Sequence, residues 1–100
     1  MPDTYLIASL KIHDQEAYAA YGEKAKAVVL KFGGDFPIGG GYREWLEGNG
    51  DINNYVAARF PSREQALAFY HSEEYQKLVP DRLACSSGTV LLAEGADPQG

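Results

Sequence analysis

Short runs of β-forming apolar residues alternate along this chain with stretches whose apolar residues recur every three or four positions. Residues 4–12, TYLIASLKI, read as a first strand. Leu6, Ala8, Leu10 and Ile12 point to one side, and Tyr5, Ile7 and Ser9 to the other. A strand apolar on both sides is central or covered on both faces. Residues 15–31 carry Tyr18, Tyr21, Ala25, Val28 and, just beyond, Phe32 as one helical stripe. Asp14 suits the N-cap, Glu16 suits the first turn, and Gly33 stands where a helix-ending glycine is expected.

A glycine-rich stretch follows, GGDFPIGGGYREWLEG over residues 33–48, with five glycines inside nine residues. It predicts a long, bent second strand over 35–47 with open space above its glycines. Pro37 cannot donate to a ladder, which places an edge or a bulge there. Gly48-Asn49-Gly50-Asp51 signals a turn, and 54–60, NYVAARF, reads as a third strand in an antiparallel hairpin with the second. Ser62 and Gln65 match a capping box opening a short helix with Ala66, Phe69 and Tyr70 on its buried side. Ser72 caps another helix carrying Tyr75, Leu78 and Val79, which Pro80 is expected to end. Residues 81–87 fit a helical turn or a loop equally. Residues 88–93 make the fourth strand, and 96–100 a polar tail that should fray.

The resulting order is β-α-β-β-α-β in a single domain over 1–95. This is the α+β, ferredoxin-like plan: a four-stranded antiparallel sheet with its helices on one face. The other face carries too many apolar residues for water, since Leu6 and Ile7 are neighbours and so are Leu91 and Leu92. The economical cover is a second copy, sheet against sheet, in a homodimer.

Charge narrows the partners. Nine Lys and Arg against fourteen Asp and Glu give −5 at pH 7. The chain has no basic cluster suited to nucleic acid or an anionic membrane. One cysteine, Cys85, excludes an internal disulfide framework and a cysteine metal cluster, and no metal or cofactor site is expected. Met1-Pro2-Asp3 opens without a basic n-region or an apolar h-region, so the cytoplasm is the expected location.

Taken together, DQEAYAAYGEKA, KFGGDFPIGGG, LEG, FPSREQALAFYHSEEYQKLVPDR and LLAEG resemble the bacterial domain of unknown function 1330 family, over nearly the whole chain. The resemblance implies the dimeric α+β barrel fold and a homodimer. It carries over no reaction: that superfamily holds cofactor-free monooxygenases, chlorite-dismutase-like haem proteins and purely binding members. Family members commonly carry Arg before the paired glycines of strand two, where this chain has Gly39. Arg43, Arg59 and Arg82 are the available substitutes; Arg82 matches the family's arginine after the second helical region, and Glu47 its strand-two glutamate.

The candidate chemistry is a cavity between helices and sheet for a small, partly apolar molecule. Tyr18, Tyr21, Trp45 and Tyr70 are expected to line it, with room made by Gly40 and Gly41. Arg82 is expected to bind the ligand, and His71 and Glu47 are the candidate catalytic groups. Most have a plainer reading. The tyrosines can be core aromatics, Trp45 a sheet-face anchor in the core or at the dimer interface, and Glu47 with Arg82 a structural ion pair, while His71 has no second His, Cys or carboxylate at metal-ligand spacing. The functional alternatives are a cofactor-independent enzyme doing oxygenation or acid–base work, a binding module without turnover, and a structural dimerisation domain.

Overall fold

The computed structural model describes residues 3–39, 41, 43–48 and 50–96. In chain order the elements are β1 (Thr4–Ile12), α1 (Gln15–Lys31), β2 (Asp35–Gly39), β3 (Asn54–Phe60), α2 (Arg63–His71), α3 (Glu73–Gln76), α4 (Val79–Cys85) and β4 (Ser86–Glu94). The strands form one antiparallel sheet in the order β2-β3-β1-β4. That is the ferredoxin-like arrangement, with β1 and β4, the two strands apolar on both sides, placed beside each other.

The caps follow the local chemistry. The Asp14 carboxylate accepts from the Ala17 amide at 3.0 Å, and the Ser62 hydroxyl accepts from the Gln65 amide at 3.2 Å. Gln65 departs from the capping box: its carboxamide accepts from the Ser62 hydroxyl and donates to the Phe32 carbonyl, tying α2 to the end of α1. α1 ends in a Schellman motif. The Gly33 amide donates to Leu30 O and the Gly34 amide to Val29 O, with Gly33 at φ 84°. Gly34 is required for a different reason. A Cβ there would lie 2.7 Å from the Phe60 ring and 2.9 Å from Val29 Cγ1, so helix and sheet meet only over bare backbone.

The core lies between the helices and one sheet face. Tyr21, Ala25 and Val29 of α1 pack with Ala58 and Phe60 of β3, Ala66 and Phe69 of α2 and Tyr75 of α3. Val29, 2% exposed, is central to the α1 stripe, which runs 21-25-29 with Tyr18, Val28 and Phe32 flanking it. Phe60 stacks on Phe69 at 5.3 Å, and Phe69 meets Tyr75 at 4.5 Å. Contacts of this kind add about 0.5–1.5 kcal/mol each beyond the area they bury. The register places Tyr5, Ile7, Tyr55, Ala57, Leu91 and Ala93 together on the opposite face. Leu91 and Ile38 there are about half exposed.

Two local expectations are corrected and one open alternative is resolved. The second strand does not run to residue 47: its ladder ends at Gly39, after an irregularity between Asp35 and Ile38 around Pro37. Continued in the register of Gly39 with Val56, residues 42–47 would face residues 48–53, all before β3 begins at Asn54, and Asn53 bonds to β1. Its amide donates to Leu10 O, while its side chain both accepts from the Ile12 amide and donates to the Ile12 carbonyl. Residues 43–48 are instead an exposed connection, with Leu46 at 88%. Pro80 does not end a helix but occupies the first turn of α4, where its missing N–H costs nothing. The 81–87 segment is helical through Cys85 and strand from Ser86. The Gly40 position and residues 97–100 of the expected tail lie outside the described residues. No helix among the described residues is long and apolar enough to cross a membrane.

Gly34→Ala should lower stability by about 1–3 kcal/mol through overpacking, read as a fall in Tm of roughly 5–20 °C in a domain of this size. An unchanged Tm would mean that the helix–sheet approach is looser than described.

Candidate functional site

A cavity of about 280 Å³ opens between the helices and the inner sheet face. Its floor is Leu6, Ala8 and Leu10 of β1, Val56 and Ala58 of β3, and Val90 of β4. Strand alternation puts all six on one face, because Leu6 pairs with Ala58 and Ala8 with both Val56 and Val90. Small residues leave the room: Gly22 and Ala25 on α1, Gly39 at the end of β2, Ala8 and Ala58 on the floor. A Cβ at Gly39 would meet nothing within 4 Å.

Phenols and one cation form the polar part. The Tyr21 and Tyr75 hydroxyls bond to each other at 2.8 Å, joining α1 to α3. Asn54 Nδ2 donates to the Tyr18 hydroxyl at 3.3 Å, and the Tyr18 and Tyr21 rings lie 5.5 Å apart. Burial, reinforced by Tyr75, pushes the Tyr21 phenol far above the usual tyrosine range. Tyr18 moves the same way and for the same first cause, with Arg82 and Asn54 opposing it. Both therefore remain protonated donors at neutral pH. Arg82 enters from α4, only 8% exposed, and its Nε is enclosed without an acceptor. Lys26 stands exposed at the rim on α1. Cys85, one turn after Arg82, is buried; its thiol is raised by desolvation and lies against the Arg82 carbonyl at 3.6 Å.

The residues singled out in the sequence divide into two groups. Tyr18, Tyr21, Tyr70 and Arg82 share the cavity wall. Trp45 does not: it lies edge-on to Tyr55, 6.1 Å away, against the other face of the sheet. Gly41 is exposed on the connection after β2, where its carbonyl accepts from Arg43 Nη1. Glu47 is exposed on the same connection, and His71 is exposed at the end of α2, its ring 5.3 Å from that of Tyr70. Neither lines the cavity, and Glu47 makes no ion pair with Arg82: among the described residues the ion pairs are Lys31 with Glu74 and Arg59 with Asp35. Arg59 and Asp35 sit on the far face of the sheet, so Arg59 supplies no charge to the cavity. Tyr75 and Asn54 join the site as well: Tyr75 lines the cavity and Asn54 holds the Tyr18 hydroxyl. A tyrosine among core positions was the available signal, since a buried hydroxyl needs a partner.

Replacing Tyr21 or Tyr75 by Phe should cost about 1–2 kcal/mol, and the double replacement less than the sum, because each removes the other's partner. Unfolding frees the Tyr21 phenol to ionise near pH 10, whereas the folded state keeps it protonated. Stability is therefore full below about pH 10 and falls as pH rises above it, and Tyr21→Phe should flatten that fall. Urea melts at several pH values check both.

Comparison with known proteins places the chain. No curated protein matches it. Among solved structures it is similar to RPA0582 of Rhodopseudomonas palustris, a protein of unknown function, at TM-score 0.79 and 20% identity, covering 97% of this chain and 85% of that one. It is also similar to a variant of SnoaB, a cofactor-independent oxygenase from Streptomyces nogalater, at TM-score 0.71 and 11% identity, covering 97% and 96%. A dimeric ferredoxin-like protein of unknown function from Jannaschia sp. CCS1 matches at TM-score 0.66 and 16% identity, covering 95% and 99%. At such identities the likeness establishes the shared fold. The family model described as a domain of unknown function (DUF1330) matches residues 3–96, and the chain belongs to that family.

Proposed function

We propose that this protein binds a small, partly apolar molecule in the cavity between its helices and its sheet. The observation that carries this is the cavity itself: about 280 Å³ of space with an aliphatic floor and a few convergent polar groups. Core packing normally leaves few voids larger than a water molecule. The volume falls just under the roughly 300–1,000 Å³ of drug-sized sites, so the ligand is small. A purely structural module has no use for such a void.

Binding without turnover is the favoured form. His71 and Glu47, the groups first suited to acid–base work, stand away from the cavity, and the Tyr18 and Tyr21 phenols that line it are held in their neutral form. Oxygenation without a cofactor is the second reading. It is favoured by the likeness of the fold to SnoaB, and it requires only a substrate that is itself oxidisable by oxygen.

The working unit is a homodimer formed by sheet-face packing. Ile7, Tyr55, Leu91 and Ile38 gather on the face opposite the helices, and Trp45 extends that apolar surface at the start of the exposed connection. Apolar patches of this kind mark interfaces. A neighbour of the same fold is itself described as dimeric.

A library of small aromatic and aliphatic compounds, read by thermal shift, should contain members that stabilise the protein. At a hundred times Kd the gain is about 2.7 kcal/mol. Val56→Phe, which fills the floor, should keep the fold and abolish the shift; a full set of shifts in that variant would sink the cavity reading. Oxygen uptake or a new product with the same compounds would move the balance to the oxygenase. Sedimentation should give twice the chain mass of 10.9 kDa, and Leu91→Arg should shift it towards the single chain. A wild-type monomer at micromolar concentration contradicts the dimer.

A further inference from the structure

The cavity offers donors and almost no acceptors. Among the described residues, no carboxylate and no hydrogen-bond acceptor pairs with the Arg82 guanidinium, although the residue is more than nine-tenths buried. The Tyr18 hydroxyl already accepts from Asn54, which leaves its own proton free to donate. In the Tyr21–Tyr75 pair one hydroxyl donates to the other, so one of the two protons is likewise unspent. Burial keeps the Tyr18 and Tyr21 phenols protonated.

An enclosed cation without a counter-charge is costly, and the protein itself does not offset it. A ligand that fills the space can supply the acceptor that the buried Nε lacks. A guanidinium presents parallel N–H groups that match the two oxygens of a carboxylate, and carboxylates accept from phenols as well. The floor beyond, formed by Leu6, Ala8, Val56 and Val90, is aliphatic and suits an apolar body. The protein's overall charge of −5 works against casual anion binding, so a local cation site is needed to capture one.

We propose that the ligand is a small monocarboxylate whose carboxyl group pairs with Arg82 beside the Tyr18 and Tyr21–Tyr75 hydroxyls, while its apolar part lies on the sheet floor. This rests on the cavity reading above and specifies the charge and orientation of what binds there. Lys26 at the rim would draw such an anion towards the opening.

The test uses benzoate, phenylacetate and hexanoate, each titrated calorimetrically against the full chain beside its neutral amide. At least one carboxylate should bind tenfold or more tightly than its amide, the difference expected for a charge-assisted hydrogen bond. In ¹⁵N-labelled protein the Arg82 Nε–H resonance should move with that carboxylate and not with the amide. Arg82→Met should erase the preference and leave Tm equal or higher, because it removes an unpaired buried charge. If that variant fails to fold, the wild-type preference and the Nε–H shift decide the matter.

Amides binding as tightly as the carboxylates would overturn the anion assignment and leave the cavity reading standing. No binding by either set would overturn both. A preference that survives in Arg82→Met assigns the anion to another residue and overturns the proposal. Displacement of the bound carboxylate by an equal concentration of inorganic phosphate overturns the carboxylate class.

Discussion

The close approach of α1 to the sheet is the constraint on which the rest of this structure depends. Gly34 lets the chain leave the helix directly over Phe60 and Val29, and a single methyl there has no room. That approach fixes the height of the helical layer. Phe60, Phe69 and Tyr75 fill the space beneath α2 and α3 at contact distance. Where the facing residues are Ala8, Gly22, Ala25, Gly39 and Ala58, the same layer separation leaves a cavity. The void follows from placing small residues on both sides of a gap whose width is set elsewhere.

The cavity then dictates the behaviour of its polar groups. Tyr21 and Tyr75 are 54 positions apart in sequence and satisfy one another because each is too enclosed to reach water. Desolvation holds the Tyr21 phenol in the neutral, donor state. Arg82 brings a guanidinium to the cavity wall whose Nε has no hydrogen-bond partner. A sheet floor of aliphatic side chains and a wall of donors amount to a polarised container. One end favours negative charge and the other excludes it.

The two sheet faces carry different duties. The inner face holds core and cavity. The outer face combines Ile7, Tyr55, Leu91 and Ile38 with the Arg59–Asp35 ion pair near the β2 edge. That pair is exposed and contributes little to stability by itself. The placement of Trp45 on this outer face is the clearest departure from the sequence expectation: the residue belongs with the candidate assembly surface rather than with the cavity.

What the sequence by itself determined is local or periodic. The Asp14, Ser62 and Ser72 caps, the Gly33 terminus and most of the element order follow from residues within a few positions of one another, and the ferredoxin-like sheet follows from that order of elements. Membership of the family also rested on contiguous motifs. Tertiary structure alone decided where strand two stops, because an alternating run such as residues 42–47 looks like a strand whether or not a partner strand lies beside it. It alone decided that Arg82 faces the cavity while Glu47 faces solvent, and that Tyr75 meets Tyr21. Such pairings are set by how the helical layer docks on the sheet, and no short-range pattern in the chain encodes that docking.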